Sequence, residues 1–200
     1  MSNSLKLKIA RAQLATALDL FVRGKDPISV QCLACGGAEV IEEIAKAQGI
    51  EPFSTHVLQG HPLLDYGKLR AIRNKYWNAF KHLNRRDGVP RNDEILLTEF
   101  DDPQNDAALF VGWWDYLAIT KKLPVEVQVF QVWWYALNED KLSLQTDLVG
   151  IRAAFPNIAT CDRAEQKRRL RRSIEKWRKD TFLTDNPATE PSLHCFFAPS

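Results

Sequence analysis

Twice in this chain an aspartate stands directly before a proline at the head of an apolar run in helical register: Asp26-Pro27 and Asp102-Pro103. An aspartate carboxylate accepts the orphan amide hydrogens of a first helical turn. A proline suits the first helical position, where its missing N–H would have found no partner. The device predicts one helix from Asp26 to about Gln48, stopped by Gly49, and another carrying Leu109, Phe110, Trp113, Leu117 and Thr120 on one side. Upstream, Ala10, Leu14, Ala17, Leu18 and Phe21 follow the same period over residues 7–22, with Gly24 placed to end the run. The first two helices should form an antiparallel hairpin. Gly36 and Gly37 inside the second cost about 1 kcal/mol each relative to alanine, which points to a close helix–helix contact there as compensation.

The remainder continues the helical pattern. Residues 50–64 lack a period and read as a long connection, whereas 65–83 read as one helix with an inward stripe of Leu69, Ile72, Tyr76, Phe80 and Leu83. Residues 84–100 read as loop, with Ile95 to Phe100 readable as extended. Val125, Val127 and Val129 alternate like a strand, but the run exceeds strand length and Pro124 fits a first helical position, so a helix is favoured there. Further helices are expected over 141–154 and 162–179. The expected fold is therefore all-α, a bundle of about six to seven helices in antiparallel pairs. Its expected organisation is a bundle domain over 1–156, a linker and basic amphipathic helix over 157–180, and a loosely ordered tail over 181–200.

Composition narrows the function classes. Of 200 residues, 45% are apolar, enough for a core without disulfide or metal staples. The start of the chain does not read as a secretory signal and no apolar window approaches a membrane span, so the expected compartment is the cytoplasm. Cys32 and Cys35 form a C-x-x-C within a helical pattern, while Cys161 and Cys195 lie far away; buried structural thiols are expected rather than a zinc or redox site. His56 and His61 have no thiol or carboxylate spaced to join them. Glu39, Glu42 and Glu43 find no Glu-x-x-His partner and are expected on an exposed face. Phosphate loops, nucleophile elbows and H-E-x-x-H are absent, so neither metal nor cofactor is expected.

Positive charge is concentrated in two stretches. Residues 68–86 hold Lys68, Arg70, Arg73, Lys75, Lys81, Arg85 and Arg86 with no carboxylate, interleaved with Tyr76, Trp77 and Phe80. Phosphate and base contacts draw on this composition, although Tyr76 and Phe80 belong to the expected core stripe. The stretch RNKYWNAFKHLNRRDG resembles a family of uncharacterised bacterial all-helical proteins, in which an Asn-Phe-Phe-Lys-His signature precedes an Asp-rich turn. The matching residues are Asn78, Ala79, Phe80, Lys81 and His82, then Asp87. The likeness covers about residues 7–140 and implies no activity. More distantly the chain resembles the HEPN superfamily, many of whose members are metal-independent endoribonucleases with Arg, a polar residue, and His after four to six intervening positions. Arg73-Asn74 fits, but eight residues separate Arg73 from His82. On one continuous helix a nine-residue step sets them about 180° apart. The catalysis implied by that likeness would use His82 as general base or acid, with Asn78 nearby and Arg86, Lys75 or a partner's Arg73 stabilising the phosphoryl charge. The bland alternative leaves His82 and Asn78 at the core edge and the cations solvated.

The second stretch, Arg163 to Lys179, carries nine Lys or Arg and two Glu within a chain of net charge +2, so the rest of the chain is net acidic. Its narrow apolar seam is Leu170, Ile174 and Trp177. It is expected to dock on the acidic body, to bind nucleic acid through residues such as Arg168, Arg169, Arg172 and Lys176, or to lie on an anionic surface. Lys75, Lys81 and Arg85 are the corresponding candidates in the first stretch. The favoured function is a non-catalytic interaction module for protein or nucleic acid, with a HEPN-like ribonuclease as the alternative; a homodimer is compatible with either.

Overall fold

The structure, a computed structural model, describes residues 2–85, 87–143 and 145–194. It is all-α: eleven α-helices among the described residues, with a parallel strand pair two residues long. Two compact units are present, one built from the chain up to Phe21 and Lys25–Ile119, the other from Val22–Gly24 and the chain from Thr120 onward. The boundary falls at Ile119, where the sequence suggested 156.

The first unit contains α1 (Ser2–Val22), α2 (Pro27–Ala47), α3 (Phe53–Gly60), α4 (Tyr66–Arg73), α5 (Lys75–Lys81), α6 (Glu94–Thr98) and α7 (Gln104–Thr120). Asp26 caps α2 as expected, its carboxylate accepting from the amides of Ile28 and Ser29 at 3.3 and 2.9 Å. Gly24 and Gly49 take left-handed backbone beyond the ends of α1 and α2. The close contact falls at one glycine of the pair. A β-carbon on Gly37 would lie 2.8 Å from the Ala10 carbonyl oxygen and 3.0 Å from Leu14 Cγ, whereas one on Gly36 would meet nothing nearer than Gln13 at 3.8 Å.

Four sequence expectations give way in this unit. Residues 53–60, expected as part of a connection, form α3, whose first amide is satisfied from far away by the Asp115 carboxylate, with Phe53 N donating to Asp115 Oδ1 at 2.6 Å. The segment expected as extended is helical as far as Thr98, within α6. The helix expected over 65–83 is interrupted at buried Asn74, whose ψ of 9° departs from helical backbone, and it ends at Lys81 with His82 already extended. Its stripe is mostly outside the core: Tyr76 is buried, but Ile72 is 58% and Leu83 84% exposed. An aromatic cluster of Tyr76, Phe80 and Phe100, with ring centroids 4.9 to 6.5 Å apart, takes its place.

The second unit contains β1 (Leu123–Pro124), α8 (Val125–Leu137), α9 (Leu148–Ala154), α10 (Arg163–Trp177), α11 (Thr181–Thr184) and β2 (Thr189–Glu190). The valine run is helical, with Val127, Phe130 and Trp133 fully buried. α9 is shorter than the helix expected over 141–154, and a 3-10 turn occupies Glu139–Lys141. The segment expected as a loose tail is instead tied down as far as Leu193, which is 3% exposed. β2 pairs in parallel with β1, Leu123 opposite Thr189, and Gln128 clamps the pair by donating to the Leu123 carbonyl at 3.0 Å and to Thr189 Oγ1 at 2.9 Å.

The two adjacent glycines of α2 should respond oppositely to substitution. Gly37→Ala drives a methyl into backbone and is expected to cost about 1–3 kcal/mol, whereas Gly36→Ala meets ordinary contacts and should gain up to about 1 kcal/mol of helix propensity. Urea midpoints of the two variants check this; equal shifts would show that the α1–α2 approach is not as close as described.

Candidate functional site

Two polar constellations stand out, one in each unit. In the first, α2, α3 and α4 converge on Glu42, which the sequence placed on an exposed face and which is 1% exposed. Its Oε1 accepts from Ser54 Oγ at 2.8 Å and Tyr66 hydroxyl at 3.1 Å and pairs with Lys46 Nζ at 3.1 Å, while Oε2 is bound by the Arg73 guanidinium. Burial pushes this carboxyl up, but the charge of Arg73 and the hydrogen bonds from Arg73, Ser54 and Lys46 outweigh it and hold the group at about 2. A buried carboxylate survives only with such a full set of donors. Glu39 is likewise taken, by Arg70, and Glu43 alone of the three is well exposed.

Asp115 of α7 is the neighbouring carboxylate, fully buried, and Oδ2 has no hydrogen-bond partner among the described residues. Burial pushes it up to about 6; the Phe53 amide partly opposes this and the negative charge of Glu42 adds to it. Sequence reasoning passed over Asp115, though a signal was there: a single carboxylate inside the apolar run FVGWWDYLAI.

Of the residues proposed for catalysis, the structure describes Arg73, Asn78 and His82. Arg73 is committed to Glu42, with its side chain 17% exposed. His82 lies exposed at the end of α5, and its ring makes no hydrogen bond or ion pair among the described residues; Asn78 is half-buried one turn back. Arg86 lies outside the described residues. The break at Asn74 also removes the continuous helix from which opposite flanks for Arg73 and His82 were inferred. The other cations of this stretch are largely engaged: Lys68 with Asp65, Arg85 with Asp87, Lys81 3.5 Å over the Trp77 ring and Lys75 4.4 Å over Tyr76.

The thiols have a structural setting. Cys35 is buried and receives a hydrogen bond from Gln31 Nε2 at 3.2 Å; burial pushes its thiol up to about 12 and also raises the half-buried Cys32. Cys161 is free, and Cys195 lies outside the described residues. No cluster of His, Cys, Asp or Glu among the described residues could hold a metal ion, and His56 packs edge-on against Trp114.

The second constellation surrounds α10. Asp162 caps this helix, Leu170 and Ile174 are buried, and Trp133 Nε1 donates to the Gln166 carbonyl at 3.1 Å, so docking onto α8 is chiefly apolar. Charged side chains of α10 take part as well: Lys167 is buried, Arg178 pairs with Glu126 at 2.8 Å, and Arg171 bonds the Val22 carbonyl at 3.0 Å. Arg168 and Arg169 share Glu165, and Arg169 also reaches the Pro156 carbonyl at 2.7 Å. Arg172 and Lys176 are exposed, and neither has a carboxylate partner among the described residues. Both, with Arg169, line an open cleft of about 700 Å³ between α9 and α10 that is floored by Phe155 and Trp177 and has no carboxylate in its wall.

The two buried carboxylates give stability a predictable pH dependence. Asp115 has a folded value of about 6 against an ordinary 3.8, so the folded chain takes up a proton first and stability rises as pH falls from neutral through 6 towards 4. Glu42 acts with the opposite sign: its contribution is complete above its ordinary 4.5 and is lost as pH falls towards 2. The urea midpoint should therefore rise from neutral pH to about pH 5, a gain on the order of 1 kcal/mol. Asp115→Asn should abolish that rise and keep the acid-side loss; a wild-type midpoint that falls across the same window would contradict the burial of this carboxyl.

Comparison with protein-family models, with curated proteins and with solved structures finds no match for this chain.

Proposed function

We propose that this protein is a non-catalytic interaction module whose partner is nucleic acid, engaged through the cationic face of α10. The observation that carries the reading is how α10 is held. With Leu170 and Ile174 turned inward, Arg172 is exposed without a carboxylate partner among the described residues, and Lys176, also exposed, lies 5.0 Å over the Trp177 ring at the same cleft. Phosphates are the natural counterparts of unneutralised cations around a carboxylate-free cleft, since each phosphate contact releases condensed counterions. The basic stretch of α4 and α5 supports such a role less well, because Arg70 and Arg73 are spent on carboxylates of their own unit.

A HEPN-like metal-independent endoribonuclease is the second reading. One observation favours it, an imidazole at position 82 open to solvent, where it could donate or accept a proton. Against it stands the commitment of Arg73 to Glu42: leaving that buried carboxylate unpaired would cost about 3–5 kcal/mol.

Binding to a short oligonucleotide should weaken steeply with salt, and Arg172→Ala or Lys176→Ala should each lower the slope of log affinity against log salt by about 1. Absence of binding at low salt would remove nucleic acid as the partner. On the catalytic question, RNA incubated without metal should remain equally intact with the wild type and with His82→Ala. Cleavage by the wild type that the substitution abolishes would reverse the order of the two readings.

A further inference from the structure

The α9–α10 cleft does not end at its cations. Ala154, Phe155, Ser173 and Trp177 form a wall shared with a second cavity of about 360 Å³, which continues under α8 and α11 and is lined there by Val129, Val132, Phe182 and Leu183. A cavity with a basic rim thus adjoins a mainly apolar one, all within one unit. The size is that of a pocket for a small planar group. Phe182 lines the slot and is nevertheless 87% exposed, an unusual position for a phenylalanine, and Trp177 is only half-buried.

We propose that this groove binds single-stranded nucleic acid, one base entering the apolar slot against Trp177 and Phe182 while the adjoining phosphates lie along Arg172 and Lys176. The inference rests on the nucleic-acid reading above and deepens it by assigning the strand state and the base contact. Three features select this occupant. Arg172 and Lys176 are one helical turn apart, a rise of about 6 Å, which suits successive phosphates of an extended strand. Aromatic faces beside a cationic track are how single strands are held without sequence readout, and a base can reach such a slot only when it is not stacked within a duplex. Ser173 and Gln128 bring polar groups to an otherwise apolar lining: the Ser173 hydroxyl makes no hydrogen bond among the described residues, and Gln128 commits its amide nitrogen and keeps its oxygen. A base edge would use both groups, and an acyl chain neither. The sequence gives no hint of the slot, because Phe155, Trp177 and Phe182 are brought together only by the packing of α8 to α11.

The test compares three probes of equal length at low salt by fluorescence anisotropy: oligothymidylate, the corresponding abasic oligomer with the same phosphates, and a duplex. The intact single strand should bind about tenfold more tightly than the abasic strand, reflecting one stacked base, and more tightly than the duplex. Phe182→Ala, at an exposed position where folding is not at stake, should lose most of that margin, leaving affinity for the abasic strand and the salt slope unchanged. Equal binding of intact and abasic strands, or a Phe182→Ala protein that keeps the full margin, would overturn the base slot while leaving phosphate binding in place. Duplex binding as tight as single-strand binding would do the same. An acidic peptide with one aromatic anchor that displaces the oligonucleotide at lower concentration than the abasic strand would assign the groove to protein instead. Failure of all three probes to bind at low salt would overturn the nucleic-acid reading itself.

Discussion

The ion pair between Glu42 and Arg73 is the constraint on which the first unit turns. Removing two charges from water costs several kcal/mol each, and the cost is recovered only when geometry and additional hydrogen bonds are complete. Here completeness requires side chains from three helices: Lys46 beside Glu42 on α2, Ser54 from α3, and Tyr66 with Arg73 from α4. None of the three can shift without stranding a buried charge. Asp115 extends the arrangement to α7 by holding the first amide of α3, and it is left with one unpartnered oxygen. The price of that orphan is visible in the raised affinity of Asp115 for a proton.

The same pair decides what the first basic stretch is available to do. An arginine that neutralises a buried carboxylate cannot also stabilise charge on a phosphate, so the residue most suggestive of nuclease chemistry serves the fold. In the second unit the logic runs the other way. α10 is held by Leu170 and Ile174, by the Trp133 indole, and by Arg169, Arg171 and Arg178, contacts that leave Arg172 outside them. Two basic segments that look alike in composition therefore differ in what their charges do: Arg70 and Arg73 are spent on carboxylates of other helices, whereas Arg172 is exposed beside a seam of Leu170 and Ile174.

Much of the fold was legible in the chain. The Asp26 cap, the glycine stops at 24 and 49, the close approach at Gly37 and the helical reading of the valine run follow from local stereochemistry, which the surroundings did not override. The misreadings share a different cause. α3 looked like loop because its N-terminal partner, Asp115, is 62 residues away. Residues 65–83 looked like one helix because their period is real, but period does not reveal an interruption at a buried Asn74, nor that Ile72 and Leu83 would find no core to face. The tail looked loose because a two-residue strand depends wholly on the partner to which it bonds.

By itself, then, the sequence determined the helical class, most helix starts and stops, and the two concentrations of positive charge, since these depend on neighbours within a turn or two along the chain. Only the tertiary structure decided which charges are neutralised and which remain free, because pairing depends on distances between residues far apart in sequence. Glu42 and Glu43 are adjacent and chemically identical, yet one is sealed among four donors and the other faces solvent. The single residue step turns the side chain by about 100° around the helix, and whether that rotation meets a neighbouring helix or water is fixed by packing alone.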